Sequence, residues 1–166
     1  MTGIWKELVL WTVKIQNARS YLEIGVLYGD TFIDVAKLVR RAIGVDVKNR
    51  LGSKYEFYEM SSDEFFRCFH DKIDVIFIDG DHCYEQAKKD FENSLKILNA
   101  GGTIILHDTD PGEAVRLAPT SCADSYKLVG HIHLAHPELD IVTFPVSCMG
   151  ISVVRRKKDR RVLGIL

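Results

Sequence analysis

The sequence predicts an α/β domain built on a parallel sheet with helices on both faces. Three observations lead there. Short apolar runs alternate with stretches of helical period from Ser20 onward, two glycines follow the first of those runs, and three later runs end on aspartate.

The order of elements follows from local pattern. Ile4, Leu8, Trp11 and Ile15 recur every three to four residues, which predicts one amphipathic helix over 4–16 leading into the domain. YLEIG, TFIDVAKLV, AIGVD, YEFYEM, DEFFRCF and IDVIFID then alternate strand with helix. Tyr84, Ala87, Phe91, Leu95 and Leu98 share one face of a further helix, with Gly101-Gly102 expected to stop it. TIILHD follows as a buried strand. Residues 109–139 carry Pro111, Gly112, Pro119, Gly130 and Pro137 and form the least regular stretch, where substrate contacts would vary. IVTF and GISVV close the chain as two strands before the basic run RRKKDRR.

Composition sets the class. A chain of 166 residues, 46% hydrophobic and 27% charged, suits one domain over 1–166 that buries a core without staples. It divides into a leading helix (1–19), the variable region (109–139) and a basic tail (155–166). A net charge of -1 gives no field to gather nucleic acid or an anionic membrane. Cys68, Cys83, Cys122 and Cys148 form no C-x-x-C pair, which speaks against a zinc knuckle or redox motif and suits a reducing cytoplasm. Lys6, Glu7 and Lys14 interrupt the apolar opening, so neither a signal peptide nor a membrane span is expected there.

The cofactor site is read from the first strand outward. Glu23 lies in that strand, Gly25 and Gly29 in the loop after it, and Asp30 or Thr31 at the start of the next helix. Glycines let a ligand approach backbone, and a helix N-terminus adds unpaired N–H groups, although a tight turn asks for glycine on structural grounds alone. Asp46 ends the second strand, where a carboxylate can accept both hydroxyl hydrogens of a ribose. There is no third glycine in G-x-G-x-x-G register and no G-K-[ST] loop, which disfavours a pyrophosphate or a nucleoside triphosphate. A cationic group beside Glu23 fits better by charge.

Together, E-I-G-x-x-x-G, G-V-D, FIDGDHCYEQAKKDF and LNAGGTIILHD resemble class I S-adenosylmethionine-dependent methyltransferases from about Ser20 to Asp108. Within that class the chain is most similar to the small-molecule O-methyltransferase branch with macrocin- and rhamnosyl-type enzymes, whose fourth strand ends D-G-D-H. The resemblance implies a Rossmann-like, three-layer α/β/α fold with a seven-stranded, mostly parallel sheet and an antiparallel last strand. It also implies that Glu23, Gly25 and Gly29 line the methionine end of S-adenosylmethionine, that Asp46 holds the ribose, and that Ser61, Ser62 and Asp63 border the adenine. The short N-terminus leaves little chain for a lid, so a partner subunit, as in a homo-oligomer, is an expectation.

The reaction centre is expected where Asp79, Asp81 and His82 follow the fourth strand and His107 and Asp108 end the fifth, because adjacent strand ends open on one crevice. A methyl acceptor oxygen must lose its proton and be held in line, which His82 as base and a divalent cation such as Mg²⁺ on Asp79 and Asp108 would accomplish. Metal-dependent O-methyltransferases carry such a pair of aspartates as ligands and a base three residues after the first, and His82 stands three after Asp79. Thr109 replaces the asparagine ligand of catechol-type members, which leaves Asp110 or Asp81 as the third ligand. The competing structural reading makes Asp81 or His82 a cap for the helix near Tyr84 and Asp108 the start of a turn.

Weaker signals are read conservatively. His131, His133 and His136 have no acidic partner at a known spacing and read as solvated loop residues rather than a metal site. The basic tail reads as a solvated chain end, and Trp5 and Trp11 as packing residues of the leading helix. The function expected is methyl transfer from S-adenosylmethionine to a hydroxyl of a small molecule, with an idle cofactor-binding partner module and a nicotinamide oxidoreductase as the other readings.

Overall fold

The computed structural model describes residues 3–118, 121–146 and 149–157. Along the chain run α1 (Ile4–Ile15), β1 (Ser20–Ile24), α2 (Phe32–Ala36), β2 (Arg41–Asp46), β3 (Glu56–Glu59), α3 (Ser62–Cys68), β4 (Ile73–Ile78), α4 (Tyr84–Ile97), β5 (Leu98–His107), α5 (Lys127–Ala135), β6 (Leu139–Phe144) and β7 (Ile151–Arg156). The seven strands form one sheet in the order β3-β2-β1-β4-β5-β7-β6. β7 runs antiparallel to both β5 and β6, and the other neighbouring pairs are parallel.

Strand alternation sorts the core into two layers. Leu22, Ile76, Ile78, Ile104 and Leu106 pack with Phe65 of α3, Phe91 of α4 and Ile132 of α5 on one face. Tyr21, Val75, Phe77 and Ile105 pack with Val9 and Val13 of α1 and Phe32 of α2 on the other. A fully buried phenylalanine such as Phe65 or Phe91 contributes about 1.5–3 kcal/mol relative to exposure. Because parallel strands all end on the same side, the loops after β1, β2, β4 and β5 gather at one edge, and the site is built there.

Several expectations need correcting. The leading helix forms, and Leu8 packs on the core beside Trp5, Val9 and Val13, but the rest of the expected apolar set faces outward: Ile4 and Trp11 are exposed and Ile15 is 76% exposed. The Gly101-Gly102 pair does not stop α4. The chain turns extended directly at Leu98, and both glycines lie inside β5, where the pairing with β4 shifts register between Ile73 and Val75.

Residues 109–139 are more regular than expected, since they include a short 3-10 turn over Ala114–Leu117 and helix α5. Pro119 lies outside the described residues. The start of the basic run is not a free tail: Arg155 and Arg156 belong to β7 and donate to the carbonyls of Gly101 and Leu95. The Lys157 ammonium reaches the Pro137 carbonyl at 2.6 Å. The rest of the run, like Cys148, lies outside the described residues. Among the described cysteines none is bonded to another. No described helix is long and apolar enough to cross a membrane.

Candidate active site

The loops after β1, β2 and β4 and the end of β5 enclose a cavity of about 780 Å³, within the usual range for a small-molecule site. Its wall contains Glu23, Gly25, Asp46, Ser61, Ser62, Asp63, Asp79, Asp81, His82, His107 and Asp108. Of the residues expected to bind the cofactor, Gly29 alone is not on this wall.

The two loop glycines have different structural duties. Gly25 takes φ +85°, and a Cβ there would lie 2.0 Å from the main-chain oxygen of Asp79, so β1 and β4 can meet only at a residue without a side chain. The protein's own backbone, before any ligand, therefore requires this glycine. Gly29 takes φ +79° and donates its N–H to the Val26 carbonyl at 2.8 Å, closing the turn that leads into α2.

At one end of the cavity the groups suit a nucleoside. Asp46 accepts the N–H of Leu27 at 2.8 Å and that of Lys48 at 3.1 Å, which ties the glycine loop to the end of β2. Each oxygen keeps lone-pair capacity for a hydroxyl. Ser61 forms a capping box with Glu64, giving α3 a fixed N-terminus at the cavity wall. Ser62 and Asp63 both accept from the Gln86 amide, at 3.1 and 3.2 Å, and the same amide reaches Asp90 at 3.1 Å.

Asp90 belongs to this wall and was not expected from sequence. Burial pushes its carboxyl up to about 6, against the pull of its Ser62 and Gln86 hydrogen bonds. Glu23 is 3% exposed and accepts the Tyr21 hydroxyl at 2.5 Å. Burial raises its carboxyl well above the usual range, and the Tyr21 bond only partly offsets this. A cation arriving beside Glu23 would restore its charge.

At the other end the acids and histidines converge. His82 Nδ1 lies 3.1 Å from Oδ2 of Asp108 and contacts the Ser121 carbonyl. His107 Nδ1 lies 3.1 Å from Oδ1 of Asp79 and 2.9 Å from Oδ1 of Asp108. Burial disfavours an imidazolium there, but the two carboxylates outweigh it and hold His107 up to about 10. Trp5 packs its ring 5.7 Å from that imidazole and joins the cavity wall, so it serves the site as well as the core, whereas Trp11 is 63% exposed.

Asp108 is the most constrained of these residues. It is 2% exposed and holds φ +57°, a conformation that a non-glycine residue rarely adopts. Its main-chain oxygen accepts from the Ser125 hydroxyl at 3.0 Å and from the Cys122 thiol at 2.9 Å. Its two carboxylate oxygens have ion-pair neighbours but no aligned hydrogen bond, leaving buried acceptors short of donors.

Donor atoms of Asp79, His82 and Asp108 all lie within 4.8 Å of one another, a set that can hold a metal ion. Asp81 and Asp110 are not in that set. Asp81 instead accepts the Cys83 N–H at 2.8 Å, a turn just before α4, whose N-cap is Cys83 and which has no side-chain cap bond, so the capping reading does not hold for it. Thr109 accepts from the Ser152 hydroxyl at 2.8 Å.

With this geometry in place, comparison with known proteins decides the family. The family described as a methyltransferase domain matches residues 22–109. The chain belongs to that family. A search of curated proteins finds no match. Among solved structures, the methyltransferase is similar to the O-methyltransferase from Bacillus cereus in complex with S-adenosylhomocysteine (TM-score 0.72, 22% identity, 92% of this chain and 80% of that one). It is also similar to the O-methyltransferase TomG of Streptomyces achromogenes, involved in tomaymycin synthesis and bound to S-adenosylmethionine (TM-score 0.71, 14% identity, 93% and 79%). The N-methyltransferase NodS of Bradyrhizobium japonicum shares the fold too (TM-score 0.63, 16% identity, 91% and 92%). The sheet order and antiparallel β7 make this a Rossmann-like methyltransferase fold.

Proposed function

We propose that this methyltransferase moves the methyl group of S-adenosylmethionine to a hydroxyl of a small molecule. One observation carries the reading: a single cavity is lined both by Glu23, Asp46 and Ser61, from β1, β2 and the start of α3, and by Asp79, His82, His107 and Asp108, from the ends of β4 and β5. The ligands held by the Bacillus cereus and Streptomyces enzymes support the choice of methyl donor. The fold also serves an N-methyltransferase, so the choice of oxygen rests on the acid–histidine cluster rather than on architecture.

In this reading Glu23 takes the donor's ammonium and Asp46 the ribose hydroxyls, with Ser61, Ser62 and Asp63 beside the base. Bound S-adenosylmethionine supplies an electrophilic methyl group on a sulfonium. The Ser121 carbonyl accepts from Nδ1 of His82, with the Asp108 carboxylate 3.1 Å away as an ion-pair neighbour, which makes Nε2 the basic nitrogen. The acceptor hydroxyl gives its proton to Nε2 as its oxygen bonds to the methyl carbon, and the carbon–sulfur bond breaks to leave a neutral thioether. Asp79 and Asp108 are the residues that would hold a divalent cation, and the donor-short carboxylate of Asp108 fits that role. Such an ion would lower the hydroxyl's pKa and fix its position.

One observation favours a metal-free variant of this chemistry. His107 sits between the same two carboxylates as a cation held up to about 10, and so already supplies positive charge there. The test is release of S-adenosylhomocysteine from S-adenosylmethionine across a panel of catechol, sugar and amine acceptors, with and without EDTA. Hydroxyl-dependent release supports the proposal, and release with amines alone overturns it. Loss of activity in EDTA assigns the cation, whereas full activity leaves deprotonation to His82 without a metal.

A further inference from the structure

Off the cavity wall, Glu92 of α4, His131 of α5 and His136 just past α5 bring three ligand atoms within 4.8 Å of one another. His131 Nε2 and His136 Nε2 both face one oxygen, Oε1 of Glu92, at 3.1 and 2.9 Å. Glu138 places its own Oε1 3.1 Å from the other ring nitrogen of His136. The arrangement depends on the end of the helix. His136 leaves helical geometry at φ -125°, ψ 66°, which swings its ring back beside that of His131, with centroids 5.8 Å apart.

We propose that Glu92, His131 and His136 form a second metal site, for a zinc-class divalent ion, that clasps α5 to α4. The argument is one of protons and lone pairs. If His136 gives its Nδ1 hydrogen to Glu138, its Nε2 turns a bare lone pair toward the Glu92 carboxylate, and two acceptors face each other. Only a cation resolves that arrangement, either a second proton on the ring or a metal between the ligands. Carboxylates flank both nitrogens of the His136 ring, Glu92 at 2.9 Å and Glu138 at 3.1 Å, so this place attracts positive charge. Two imidazole nitrogens and one carboxylate suit zinc better than magnesium or calcium, which prefer all-oxygen shells. A carboxylate on the far nitrogen of a ligating histidine is the usual outer-shell support of such sites. Partial exposure of all three side chains leaves room for water as a further ligand.

The clasp would stiffen the wall of the reaction centre. α4 starts at Tyr84, whose N–H is accepted by Asp124 at 2.7 Å, and the segment leading into α5 carries the Cys122 and Ser125 contacts to Asp108. The metal itself stands outside the cavity and takes no part in methyl transfer.

The test is zinc titration of the full chain, read by calorimetry and by the rise in Tm, with Co²⁺ absorption to identify ligands. The expectation is that zinc binds and raises Tm in the wild type and in Asp108→Asn, which removes the other candidate metal ligand set. It should also bind Cys68→Ser/Cys83→Ser, which removes the two exposed thiols among the described residues. His136→Ala and Glu92→Gln should each lose the Tm rise, with circular dichroism confirming that they fold. Glu138→Gln should weaken zinc by about 10- to 100-fold. Absence of zinc binding by the wild type overturns the proposal, as does undiminished binding by both His136→Ala and Glu92→Gln. Loss of zinc in Asp108→Asn alone would assign the ion to the cavity and overturn it equally.

Discussion

His82 and Asp108 come from different strand ends, and their Nδ1 and Oδ2 atoms meet at 3.1 Å. The buried carboxylate fixes the ring by one nitrogen and leaves the other to face an acceptor. A positioned general base contributes roughly 10²- to 10⁴-fold to such a step. His82→Ala should therefore lower turnover by that order, while the affinity for S-adenosylhomocysteine stays at the wild-type value. Steady-state kinetics beside calorimetry on the same variant check both halves.

The glycine loop gives a contrast in stability. Gly25→Ala puts a methyl against the backbone of Asp79, which cannot yield, and does so at a positive φ. It should fold poorly or cost more than about 3 kcal/mol in urea unfolding. Gly29→Ala also sits at positive φ but meets the flexible end of Leu51, 2.7 Å away. It should cost about 1–2 kcal/mol and remain folded.

Asp90 sets a pH dependence. Its carboxyl lies at about 6 in the folded protein against 3.8 ordinarily. The folded state thus binds the proton more tightly than the unfolded chain. Its contribution to stability is greatest below 3.8 and is lost as pH rises through 6, by about 3 kcal/mol. Asp90→Asn removes that loss. Its Tm advantage over the wild type should grow between pH 4 and pH 7 and then level off.

How much of this was legible in the sequence depends on how local each signal was. Strands β1, β2, β4 and β5 are short apolar runs, and Glu23, Asp46, Asp79 and Asp108 mark them directly, so both the sheet and most of the cavity wall could be read. The inward face of α1 could not, because Ile4, Trp11 and Ile15 are as apolar as Val9 and Val13, and only the neighbouring sheet chooses between them. Asp90 was hidden for a similar reason: inside YEQAKKDFENSLKI it looks like one more solvated acid, and its burial follows from how α4 packs. The histidines of α5 were misjudged because Gly130 and the flanking prolines masked a helix. Their acidic partner, Glu92, stands 39 residues before His131 in the chain, a distance that no spacing rule covers.

The most direct test of the account is calorimetric titration of S-adenosylhomocysteine into the wild type and into Asp46→Ala, with NAD as the competing nucleotide. The account predicts a single site in the wild type and no preference for NAD. It predicts that Asp46→Ala binds about 1–3 kcal/mol more weakly with its circular dichroism unchanged. Affinity unaltered by Asp46→Ala would remove Asp46 from the cofactor site, and a wild type that binds NAD in place of S-adenosylhomocysteine would contradict the account as a whole.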